Sequence, residues 1–206
     1  MPRCKIVRIF AMTLFAVLVP CTHGQQPAAP APQKPHDSHA GHTAAAPSAP
    51  AAHEMKPADA ADVASLDAIL AAFYASNSGA VGQKRDIVRF SSLFYPGAQL
   101  MPAEGKGHGT NMPRAFAPST YIANTDLFAA EEGYLVKEIA RRTERFGKIA
   151  QVFSTYEARH AASDPKPFVR GVNSFQLFFD GHRWWILSLA WQTETPELKL
   201  PEEYLR

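Results

Sequence analysis

Apolar positions recur at helical spacing between residues 62 and 130, and every second residue from 134 onward. Leu66, Ile69, Leu70 and Phe73 follow the i, i+3, i+4, i+7 rule of an amphipathic helix. Asp62 or Ser65 can cap its start, and Gly79 can end it. A second helix is expected over Gln83–Phe94, with Ile87, Phe90 and Phe94 on one face and Tyr95-Pro96-Gly97 as its stop. A short strand, Ala98–Met101, follows. The Gly- and Pro-rich stretch 102–118 reads as a loop, and Ser119–Ala130 as a third helix with Tyr121, Ile122, Thr125 and Phe128 on one stripe.

The period-two region divides into two hairpins. Tyr134–Phe146 and Ile149–His160 flank Gly147-Lys148, while Phe168–Phe179 and His182–Thr195 flank Asp180-Gly181. Helices followed by an antiparallel meander predict an α+β layer, with the helices on one face of a curved sheet. A two-residue turn at Asp180-Gly181 pairs Leu177 with Trp184, Phe175 with Ile186, Asn173 with Ser188 and Gly171 with Ala190 on one face. The other face then holds Arg170, Ser174 and Gln176 with Trp185, Leu187, Leu189 and Trp191. In the first hairpin, Ile139 should oppose Tyr156, and Glu138 should oppose Glu157. Two facing carboxylates repel, so Arg159 or Arg170 is expected to neutralise them. The face with Val152 and Tyr156 is the one expected to look inward.

The N-terminal quarter follows neither period. Arg3, Lys5 and Arg8 precede the apolar run Ile9–Pro20, which is shorter than the ~20 apolar residues of a membrane span. Residues 1–24 therefore read as a secretory signal cut before Gln25, which implies export to the periplasm or medium. The rival reading, acylation at Cys21, fits less well because Pro20 precedes the cysteine. Residues 25–61, rich in Ala, Pro and His, read as a disordered tether. His36, His39 and His42 in this tether form a weak metal-binding candidate, set against a low-complexity linker that happens to contain histidines.

The only cysteines are Cys4 and Cys21, so the folded part has no disulfide and no thiolate metal site. Removing Arg3, Lys5 and Arg8 from the 21 Lys and Arg leaves 18 against 19 Asp and Glu, a formal charge of −1. That balance gives no reason to expect a nucleic-acid partner. No dinucleotide, P-loop or hydrolase motif appears, and no cofactor is implied.

The stretches SLDAILAAFYAS, RFSSLFYPGAQLMPA, VFSTYEAR, RGVNSFQLFFDG and RWWILSLAWQTE resemble the nuclear transport factor 2-like fold over residues 62–206. This cystatin-like cone is shared by ketosteroid isomerases and SnoaL-like cyclases. The resemblance implies N-terminal helices in the concave face of a strongly curved antiparallel sheet. It also implies a homodimer through the convex face, here Arg170, Trp185, Leu187, Leu189 and Trp191. The C-terminal tail, through Leu198, Leu200 and Tyr204, is the alternative cover for that face.

A ligand pocket for a small apolar molecule would be lined by Tyr74, Tyr156, Asn173, Trp184 and Ser188. The competing reading is that Asn173 and Ser188 bond within a filled core. Isomerase chemistry has little support. Met101 and Pro102 stand where the carboxylate base would fall, and Glu104 comes two residues later. Tyr74 could match the oxyanion tyrosine, and His108 could act as a base from the loop, although a lone loop histidine is usually only solvated. An exported binding domain, an isomerase, cyclase or dehydratase, and a non-catalytic dimeric module all remain open. No catalytic residue is assigned.

Overall fold

The structure is a computed structural model and describes residues 57–103 and 114–206. The expected signal, residues 1–24, with Cys21, and His36, His39 and His42 of the expected tether lie outside the described residues, as do Glu104 and His108.

Among the described residues, four helices and five strands build the fold. α1 (Ala60–Val63) and α2 (Leu66–Asn77) are followed by α3 (Ile87–Ser92), β1 (Phe94–Pro102) and α4 (Pro118–Glu132). Then come β2 (Leu135–Phe146), β3 (Ile149–Arg159), β4 (Val169–Phe179), β5 (Trp184–Thr193) and a 3-10 turn at Glu202–Tyr204. Ser65 caps α2 by accepting from Ala68 N–H (3.0 Å). Asp62, the other candidate cap, instead accepts two bonds from Arg89 (both 2.7 Å).

α3 is half the expected length because Asp86 caps it at Arg89 N–H. Just before that cap, Arg85 is drawn away from a helical path. Its buried guanidinium donates to Asn77 Oδ1, Thr125 Oγ1 and the Ile122 carbonyl, and it pairs with Asp126. One arginine thus ties the α2–α3 connection to α4, with each of its side-chain nitrogens partnered.

The sheet order is β1-β5-β4-β3-β2. The fold class expected from sequence stands, α+β with a curled five-stranded sheet, but the sheet is mixed rather than antiparallel. β1 pairs with β5 in parallel. A parallel neighbour cannot be reached by a hairpin, and the chain arrives there through α4 and three intervening strands. Phe73 of α2 seats the helices on the sheet. Its ring lies 5.0 Å from Phe175 and 5.5 Å from Phe90, and all three rings are buried.

Both hairpins depart from simple registers. The β4–β5 turn has four residues, because the Asp180 carboxylate accepts from His182 N–H (2.7 Å), Arg183 N–H (2.8 Å) and Trp185 Nε1–H (2.7 Å). Phe179 therefore pairs with Trp184, and Leu177 with Ile186. That two-residue shift preserves the faces, since side-chain direction alternates with period two.

A bulge at Leu187 does not preserve them. Beyond it, Gln176 opposes Ser188, Ser174 opposes Ala190, Phe175 opposes Leu189 and Asn173 opposes Trp191. A second bulge, at Ile139, sets Glu138 opposite Tyr156 and Lys137 opposite Glu157. The expected repulsion between Glu138 and Glu157 therefore does not arise. Glu157 bonds Arg159 and Lys137 instead, and these cations hold its carboxyl below the usual range although burial works against them. Arg170, the other expected neutraliser, pairs with Glu194.

Candidate functional site

The inner face of the sheet is built rung by rung. Ala150, Leu177 and Ile186 share one rung, and Val152, Phe175 and Leu189 the next. All six are buried, as expected for the face with Val152 and Tyr156. The following rung, Arg141, Ser154, Asn173 and Trp191, turns polar.

A directed chain of hydrogen bonds starts in that polar rung. Asn173 Nδ2 donates to Tyr74 Oη (2.9 Å), and Tyr74 Oη lies 2.6 Å from Ser154 Oγ. Ser154 Oγ in turn donates to Glu138 Oε1 (2.5 Å). Because Ser154 spends its hydrogen on the carboxylate, the Tyr74 hydroxyl must donate to Ser154. Arg141 closes the chain. Its Nε and Nη2 clasp Glu138, and its Nη1 donates to Asp67 Oδ1 (2.5 Å) at the start of α2. Burial pushes the Tyr74 phenol up, so it stays protonated and serves as a neutral donor. The Arg141 charge is opposed by burial but held by Glu138 and Asp67.

The chain opens into a cleft of about 500 Å³ at the turn end of the sheet. Ala64, Ser65, Leu66 and Asp67 form its helical wall, Arg141, Thr143 and Arg145 its β2 wall, and Phe179 and Trp184 its floor. The Arg145 guanidinium lies 4.9 Å from the Trp184 ring centroid, and its Nε donates to the Gly147 carbonyl. The cleft therefore combines aromatic walls, two guanidinium groups and a single exposed carboxylate.

Of the five expected pocket residues, the structure joins Tyr74 and Asn173 directly. Tyr156 lies on the same face, packed so closely over Gly171 that a Cβ there would sit 2.7 Å from its hydroxyl. Trp184 borders the cleft at the far end. Ser188 is corrected: the Leu187 bulge turns it to the outer face beside Gln176. The expected convex-face set divides in the same way. Trp185 stays on the outer face, and Arg170 is held by Glu194. Leu187 forms the bulge. Leu189 is buried in the core, and Trp191 packs against Tyr121 at 5.4 Å on the inner side, so neither belongs to an outer surface.

The sequence reading missed Asp67, Glu138, Arg141, Arg145 and Ser154. Period two does put Arg141, Thr143 and Arg145 on one face. Nothing in the sequence marks the Ile139 bulge that swings Glu138 inward. Among the described residues no group of three or more His, Cys, Asp or Glu is arranged to hold a metal. No described helix is long and apolar enough to cross a membrane.

No family model matches the chain, and no curated protein matches it. Solved structures do. One is an NTF2-like protein of unknown function from Silicibacter pomeroyi, 17% identical, with a TM-score of 0.44, covering 64% of this chain and 94% of that one. A protein of unknown function with a cystatin-like fold from Nostoc punctiforme is 11% identical, with a TM-score of 0.46 and coverage of 62% and 86%. A hypothetical protein with a ketosteroid isomerase-like fold from Catenulispora acidiphila, solved with trimethylamine, is 19% identical, with a TM-score of 0.37 and coverage of 60% and 83%.

Proposed function

We propose that the chain is an exported small-molecule-binding domain whose site is the cleft between α2, β2 and the β4–β5 turn. One observation carries this reading: the interior chain from Asn173 to Arg141 ends at that cleft and holds its polar groups rigidly between Trp184, Phe179 and Leu66. Fixed polar groups set in apolar walls are what orient a small ligand. The site lies nearer the surface than the apolar cone pocket expected from sequence. The aromatic core around Phe73 and Phe175 fills the space under α2. Export rests on the signal-like residues 1–24, and the mature chain is expected to begin at Gln25.

The test is native mass spectrometry of the mature protein purified from its own cells. A small-molecule adduct should be present, and it should vanish in Thr143→Trp, which fills the cleft from an exposed strand position. An adduct that persists in that variant, or none at all, would remove the proposal.

A second reading concerns partners. Phe146, Ile149, Phe178 and Trp185 are successive cross-strand partners on the outer face, and Tyr95 meets Trp185 edge-on at 5.7 Å. Phe146 is 85% exposed and Ile149 57%. An apolar row of this length across all five strands favours pairing with a second copy. The tail covers a different part of that face. Tyr204 stacks on Phe153 at 6.1 Å, and its carbonyl accepts from Thr155.

A further inference from the structure

We infer that the cleft takes a small organic acid, one carboxylate on an apolar body, and that Asp67 occupies the carboxylate position until the ligand displaces it. This rests on the cleft being the ligand site. Glu138 grips only one edge of Arg141, through Nε and Nη2, leaving Nη1 to face the cleft. Asp67 holds that free edge with one oxygen, and its side chain is 90% exposed, against 19% for Glu138. The inner ion pair is thus structural, while the outer one is a weak, solvated contact that a better-placed carboxylate replaces at little cost.

A second cation waits beside it. Arg145 projects from the same face of β2, four residues along, and its only polar partner among the described residues is the Gly147 carbonyl. Asp67 is the one carboxylate in the cleft wall, and Glu138 behind it is already committed to Arg141 and Ser154. Displacing Asp67 therefore leaves two guanidinium groups facing the ligand. Leu66 and Phe179, both part-exposed over the buried Trp184, supply apolar surface for its body. Two guanidinium groups discriminate a carboxylate from an alcohol of the same shape, because charge-assisted bonds are about twice as strong as neutral ones.

The experiment is calorimetric titration of the mature protein with 2-naphthoate and its uncharged counterpart, 2-naphthylmethanol. The wild type should bind the acid at least about tenfold more tightly than the alcohol. Arg145→Gln should reduce that preference to about threefold, the part that Arg141 supplies alone. Asp67→Asn should tighten acid binding by about threefold while leaving the alcohol unchanged, a gain that simple loss of structure does not produce. Equal binding of acid and alcohol would overturn the ligand class while leaving the cleft as a site. Unchanged or weaker acid binding in Asp67→Asn would overturn the displacement. Binding of neither compound would sink both the acid class and the cleft reading on which it rests.

Discussion

Tyr74 sits between two buried polar side chains: it accepts from Asn173 and donates to Ser154, which itself donates to Glu138. Tyr74→Phe keeps the ring contacts with Phe73 but removes the acceptor of Asn173 and the donor to Ser154, so it should cost about 1–3 kcal/mol in urea unfolding. A change under about 0.5 kcal/mol, the size of an ordinary surface substitution, would mean that the chain does not hold the interior. Asp180 makes a pH prediction. The Trp185 indole, then the N–H groups of Arg183 and His182, lower its pKa to about 2. A depressed carboxylate contributes above its unfolded pKa and loses that contribution as pH falls through the folded value. The four-residue turn should thus persist well below the usual carboxylate range. The Trp185 Nε1–H resonance should hold until the pH approaches 2, whereas a midpoint near 4 would contradict the turn geometry. At this scale, Asn173 was legible as an inward polar residue in need of a partner, but the partner expected was Ser188 and the one found is Tyr74. The partnership of Ser154 and Glu138 was not, because it depends on a bulge.

Strand pairing decided which other residues were misplaced. Asp180-Gly181 looks like a two-residue hairpin turn, but the Asp180 side chain lengthens the loop by ordering His182 and Arg183. That change alone would have left the faces as read. The extra residue at Leu187 exchanged them for the rest of β5, sending Ser188 outward and Leu189 and Trp191 inward. Bulges of this kind leave no period of their own in a strand as apolar as WWILSLAW. The consequence is directly measurable. Ser188→Lys should change stability by no more than about 0.5 kcal/mol, whereas Leu189→Lys, burying a charge, should prevent folding. An uninterrupted two-residue turn register predicts the reverse. In β2 the same effect at Ile139 turns an expected Glu138–Glu157 clash into a Lys137–Glu157 pair and a Glu138–Arg141 clasp.

Helices first, strands afterwards, was readable in the change of period near residue 134, and it yields the α+β layer found. The parallel pairing of β1 with β5 was not readable, because no local signal links strands so far apart in sequence. The same long-range register gathers Phe146, Ile149, Phe178, Trp185 and Tyr95 into one outer row. Phe146→Glu, at an 85% exposed position, should therefore yield folded monomers in sizing experiments, and an undiminished dimer would move the interface elsewhere. The row and the cleft lie on opposite faces of the sheet and make separable claims. The most direct test of the ligand site is an amide NMR titration of the ¹⁵N-labelled mature protein with 2-naphthoate. Saturable shifts should cluster at Leu66, Asp67, Thr143 and Trp184. Shifts confined to Phe146, Phe178 and Trp185, or no shifts at all, would contradict a ligand site in the cleft.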